Sequence, residues 1–172
     1  MGIELTKTPD RLQPARSVTR PRTLRQRGSA FLETGLVILP LMAILFALMD
    51  FSIVIFVQNV LRHAVREGVR FAVTQQTGAG GQDAAIKAIV QTNAFGFLPD
   101  PSKITIQYLD STTLTPVAGA GSNAQGNVCI VSISNFGWSL MVPIWQSSAP
   151  IGLSASSSDV MEAPPNGILP SR

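Results

Sequence analysis

Residues 27–60 read RGSAFLETGLVILPLMAILFALMDFSIVIFVQNV. A basic residue, a glycine, a glutamate five positions later and then a long apolar run decide how the rest of the chain is read. Gly35–Val57 holds one ionisable side chain, Asp50, and fifteen of its 23 residues are Leu, Ile, Val or Phe. As a helix this stretch would be about 34 Å long, against about 30 Å of bilayer hydrocarbon. Each large apolar residue favours insertion by roughly 0.3–0.6 kcal/mol, and a central Asp opposes it by about 2.5–3.5 kcal/mol. The apolar sum prevails, so a single transmembrane helix is expected over 35–57. Asp50 lies toward its distal end, where that cost falls. An acid inside a membrane turns toward protein or water, so Asp50 is expected to contact another membrane helix of an assembly. Pro40 removes one backbone hydrogen bond within the span, which membrane helices tolerate.

Charge sets the orientation. Residues 1–27 carry seven cations and two acids, whereas residues 28–172 carry six cations and eight acids. The basic balance therefore belongs to the leader, and the body of the chain is mildly acidic. The positive-inside rule places residues 1–28 in the cytoplasm and the C-terminal part outside. A folded basic face for nucleic acid is not indicated. The apolar run is too long for the core of an ordinary cleaved secretory signal, and no small-x-small site directly follows it.

Beyond Val57 the helical pattern continues to about Val73, giving a long helix over 29–73 whose second half is amphipathic. Val57, Leu61, Val65 and Ala72 share one side. Arg62, Arg66 and Arg70 line another at four-residue spacing, suited to lipid phosphates or a partner. Residues 74–82 (TQQTGAGGQ) break the helix, and Asp83–Phe95 reads as a second one with Asp83 as its N-cap. Ser102–Leu109 alternates as a strand with Ile104, Ile106 and Tyr108 on one face. Val128–Ile133 is a second strand, with Cys129, Val131 and Ile133 inward, and a third begins at Ile151. The fold class expected is an α+β membrane protein: a long N-terminal helix, a short second helix and a small antiparallel sheet of about three strands. The outer domain is placed at 74–163, with a loose tail over 164–172. Cys129, the sole cysteine, excludes an internal disulfide and reads as a buried, inert thiol. The apolar stretch Phe136–Trp145 reads either as a loop that covers the sheet or as a contact surface presenting Trp138 and Trp145 to a subunit or a membrane.

One ordered set of motifs resembles the TadE-like proteins of the tight-adherence (Flp) pilus machinery. It comprises Arg27-Gly28-Ser29-Ala30-Phe31-Leu32-Glu33, then Leu36-Val37-Ile38-Leu39-Pro40, then Met49-Asp50-Phe51, then Ala64-Val65-Arg66-Glu67-Gly68-Val69-Arg70-Phe71-Ala72. The resemblance implies a pilin-like pseudopilin, cut by a prepilin peptidase between Gly28 and Ser29. Glu33 then becomes the fifth residue of the mature chain and neutralises the new amine of a neighbouring subunit, because an unpaired buried charge is costly. Thr34 stands where Flp-type pilins often carry an aromatic residue. Implied partners are the peptidase, Flp-type pilin, other pseudopilins, inner-membrane platform proteins and the lipid bilayer.

Catalysis finds little footing. The single histidine, His63, is placed to pair with Glu67 one turn on. No Cys/His spacing suits a metal, no nucleophile motif is recognisable, and the Gly78–Gly81 run lacks the Walker lysine. No cofactor, metal or catalytic residue is expected. Two rivals to the pseudopilin reading remain open: an uncut single-span scaffold of the same apparatus, and a membrane-tethered periplasmic enzyme.

Overall fold

The computed structural model describes residues 25–140 and 150–172. Helix α1 runs Arg25–Val73, helix α2 Gln82–Asn93, and strands β1 Ile104–Leu109, β2 Val128–Trp138 and β3 Ile151–Val160 follow in order. The strands form one antiparallel sheet in the order β1-β2-β3. The expected long helix, short second helix and three-stranded antiparallel sheet are thus observed. Chain contacts divide the molecule into Met1–Leu41 and Met42–Arg172.

In the first unit the described residues belong to α1. Thr34 Oγ1 donates to the carbonyl of Ala30 at 2.8 Å, which satisfies its hydroxyl along the helix. Phe31, Leu32, Leu36 and Leu39 are all more than 70% exposed.

In the second unit α1 changes character at Val57. Ile44, Leu48 and Phe51 are exposed, whereas Val57, Leu61, Ala64, Val65, Val69 and Ala72 are buried. Their spacing of three and four residues gathers them on one face. That face packs on Ile86 and Val90 of α2 and on Ile104, Tyr108, Cys129, Val131, Ile133, Leu153 and Ala155 of the sheet. The sheet contributes one face because its side chains alternate, and register puts Ile104 opposite Ile133 and Tyr108 opposite Cys129.

Strand β2 is longer than the alternation of Val128–Ile133 indicates. Ile133 pairs with Ala155, but Phe136 pairs with Leu153, so one extra residue bulges on β2. Asn135 there has φ 51°. The inserted residue shifts the pleat by one position. Phe136 and Trp138 therefore return to the inner face that Cys129, Val131 and Ile133 began. The residues from 136 to 138, read from sequence as the start of a covering loop, are strand.

Small residues set the distance between the helices. Ala64, Gly68 and Ala72 recur every four residues and are all buried. A methyl added at Gly68 would land on Cγ2 of Val90, with Cγ2 of Ile86 at 3.6 Å and Cγ1 of Val131 at 3.8 Å. Valine is held in one helical rotamer and cannot easily move aside.

A polar cluster then ties the helix ends to the loops. Gln82 Nε2 donates to the carbonyl of Ala72 at 3.1 Å, and Asn123 Nδ2 donates to Gln82 Oε1 at 2.6 Å. Gln75 Nε2 donates to the carbonyls of Asn123 and Glu162. These amides are buried, so each bond replaces water that the site excludes.

Asp83 is not the N-cap. Helix α2 starts at Gln82, and its N-cap is Gly81, two residues before Asp83, without a side-chain cap. Asp83 instead accepts from Tyr108 Oη at 2.9 Å and from the Arg172 guanidinium at 2.9 Å. The guanidinium lies 4.6 Å from the Tyr108 ring centre and also donates to Ser122 Oγ. Where a loose tail is expected over 164–172, Pro170, Ser171 and Arg172 are bonded to the folded unit. The carbonyl of Pro170 accepts from Asn123, and that of Ser171 accepts from the Gln82 N–H at 2.7 Å. Gly81, at φ 92°, admits this close approach, since a Cβ there would fall 2.7 Å from the Arg172 carbonyl carbon.

Burial, with Asp83 nearby, pushes the Cys129 thiol up to about 12 and raises the Tyr108 phenol as well. The inert-thiol reading fits this environment.

Two predictions follow from these contacts. Gly68→Ala lowers the melting temperature, because overpacking by about 1–3 kcal/mol outweighs the roughly 1 kcal/mol that alanine adds to a helix. Combining it with Val90→Ala gives a loss smaller than the sum of the two single losses; strict additivity in the double-mutant cycle contradicts the contact. Alkali supplies the other test. The folded thiol holds its proton above the point where the unfolded thiol releases it, near 9.0. The unfolded state then binds fewer protons, so stability is intact below that pH and falls as pH rises toward about 12. Thermal melts across this window check the slope, and Cys129→Ala should reduce it most between pH 9 and 10, below the range where the raised Tyr108 phenol adds a slope of the same sign.

Candidate functional site in helix α1

Every residue singled out in the apolar run and its flanks, save Trp138 and Trp145, lies on α1. Gly28 and Ser29 are the fourth and fifth residues of the helix, which begins at Arg25. The leader up to residue 24 and Trp145 lie outside the described residues.

Glu33 is exposed, and so are its neighbours Phe31 (81%) and Leu32 (75%). A carboxylate thus stands among apolar side chains that this unit leaves open.

Asp50 has a different setting. It is only 6% exposed, while Met49 and Phe51 beside it are 54% and 64% exposed. Its carboxylate is therefore set apart from the open apolar surface on either side of it. The helical turn explains the contrast: Asp50 lies on the side of α1 that Ile53, Val54 and Val57 continue toward the core.

Arg62, Arg66 and Arg70 are all exposed and form one stripe. The stripe is what remains when Leu61, Ala64, Val65, Gly68 and Val69 turn inward. Arg70 and the half-buried Glu67 line a shallow polar depression of about 320 Å³ with Thr74, Gln76 and Asn93. Among the described residues, no three His, Cys, Asp or Glu side chains converge as a metal-binding group.

Trp138 is half-buried. It meets Phe97 edge-on at 5.9 Å, and Phe97 meets Phe56 of α1 edge-on at 6.2 Å. These rings form a chain from the sheet to the helix, in the geometry aromatic pairs prefer. Sequence reasoning missed this chain, as it missed Gly68 and the Asp83–Arg172 pair. The small-residue spacing of Ala64, Gly68 and Ala72 is a signal that could have revealed the helix contact.

The arrangement separates roles along one helix. An exposed acid near the N-terminal end and a long exposed apolar stretch come first, and a cationic stripe and a packed face then share the later turns. Residues 30–73 are long and apolar enough to cross a membrane by length and composition.

Comparison with known proteins adds one positive finding. Residues 28–70 match the family model described as TadE-like protein. No curated protein and no solved structure matches the chain. The match begins at the glycine of the Arg-Gly pair and ends at the last arginine of the stripe, so it covers Glu33, Asp50 and the arginines of α1 and stops before α2. Over this segment, about a quarter of the chain, the protein is similar to TadE-like proteins.

Proposed function

We propose that this chain is a pseudopilin-like structural component of a Tad pilus or secretion apparatus, anchored by one transmembrane span. In this reading residues 1–28 face the cytoplasm of a bacterium and the sheet domain lies in the periplasm. A prepilin peptidase cuts between Gly28 and Ser29. The protein then works by packing against Flp-type pilin, sister pseudopilins and the platform proteins of the inner membrane. It is not an enzyme, and a separate cytoplasmic ATPase drives assembly.

The observation that carries this reading is Glu33, exposed between apolar side chains five residues after Gly28. Cutting at Gly28 leaves a charged amine on Ser29 at the start of an apolar helix. In lipid an unpaired charge there costs several kcal/mol, and so does an unpaired carboxylate. Pairing the amine of one subunit with Glu33 of its neighbour removes both costs and fixes a stagger of one subunit. The TadE-like match starts at Gly28 and includes Glu33, which agrees with this assignment.

Thr34 favours a second reading, an uncut scaffold of the same apparatus. Its hydroxyl is satisfied by Ala30 within the helix, and it offers no aromatic surface to a neighbouring subunit.

The two readings differ in the mass of the native protein. Intact-mass analysis and N-terminal sequencing from the host membrane should find a chain that begins at Ser29. In a strain without the peptidase it should begin upstream of Gly28. A chain that keeps its leader in both strains favours the scaffold. Glu33→Gln should be cut normally yet fail to co-purify with the other pilins; unchanged co-purification contradicts the amine pairing.

A further inference from the structure

The base of the sheet domain carries an aromatic group that the pilin reading does not use. Phe56, at the last turn before the packed half of α1, is 59% exposed. Phe97 leans on it and Trp138 leans on Phe97. Ile151, opposite Trp138 at the start of β3, is 41% exposed. Phe95 sits on the same turn as Phe97 and is 73% exposed, although its backbone has φ 50°. A bulky residue rarely takes that conformation, which glycine occupies at many helix ends. The chain therefore bears a local backbone cost while keeping a phenyl ring outside the core.

These rings adjoin an apolar surface. Phe51 and Ile55, on α1 just before Phe56, are 64% and 45% exposed. In the other direction along the helix, Arg62 is six residues past Phe56, about 9 Å along the axis. The interfacial layer on each side of a bilayer's hydrocarbon is about 5–8 Å thick. An aromatic level followed at that distance by an exposed cation matches the layering of a lipid monolayer: rings at the glycerol level, guanidinium at the phosphate. A protein partner would require no such order along the helix axis.

We propose that Phe56, Phe95, Phe97, Trp138 and Ile151 form a lipid-facing belt that seats the sheet domain on the outer surface of the bilayer. Its ligand is the glycerol and upper acyl-chain region of phospholipids. The belt is carried by the folded domain as well as by the span, so it sets the height and tilt of the domain over the membrane. This inference rests on the reading of α1 as a transmembrane helix.

Tryptophan quenching by lipid tests it with the full chain in phospholipid nanodiscs. Trp145→Phe leaves Trp138 as the sole tryptophan. Its emission should fall when the lipids are brominated high on the acyl chain, and fall less when they are brominated near the methyl end. A control with Trp138→Phe, Trp145→Phe and Leu45→Trp places the fluorophore on the exposed apolar part of α1. It should show the opposite order. Quenching at the Leu45→Trp position with none at Trp138 overturns the belt and leaves the span intact. No quenching at either position overturns the span, and the belt with it. Protection of Trp138 from aqueous acrylamide that arises only when other pilins are added makes the surface a subunit contact and also overturns the proposal.

Discussion

On the transmembrane reading of α1, one helix serves two surroundings, and the exchange takes place at Val57. Before it, α1 leaves Ile44, Leu48 and Phe51 open. From it onward, every third or fourth side chain enters the core with a sheet face and α2. A helix that is apolar all round cannot be satisfied by a small domain alone, and an amphipathic one cannot be satisfied by lipid alone. The sequence answers both by changing its pattern and not its secondary structure. Arg62, Arg66 and Arg70 fall on the open side because the stripe of Leu61, Val65 and Val69 occupies the other.

The outer half of α1 then organises everything packed on it. Gly68 permits α2 to approach within a methyl's width, and Ala64 and Ala72 extend the narrow seam. Gln82, at the start of α2, reaches back to the carbonyl of Ala72 near the end of α1. That short bridge closes the turn between the helices and recruits Asn123 and the residues around Ser171. The domain is thus held by an apolar seam and a buried amide cluster at one end of it. Individual hydrogen bonds of this kind contribute about 1 kcal/mol net, but leaving any of these buried groups unpaired would cost more.

Much of this was legible in the sequence because the signals were periodic. The apolar run, the four-residue arginine spacing and the alternation of Cys129, Val131 and Ile133 each report a local rule that the fold keeps. The motif order from Gly28 to Arg70 reported the family segment in the same way. What stayed hidden depends on contacts distant in the chain. The bulge between Ile133 and Phe136 breaks alternation, so the rest of β2 resembled a loop. Asp83 looked like a cap because acids favour helix starts, yet Tyr108 and Arg172 claim it. No local pattern announces that a residue 89 positions away will supply the guanidinium.

The claim that α1 passes from lipid to protein core at Val57 is open to direct measurement by spin labels placed singly along the helix in nanodiscs. Labels at positions 44, 48 and 51 should relax with oxygen, which concentrates in lipid, and resist a water-soluble nickel reagent. Labels at positions 62, 66 and 70 should respond to nickel, and labels at 61, 65 and 69 to neither. A nickel response at positions 44, 48 and 51 equal to that at position 66 would contradict the account.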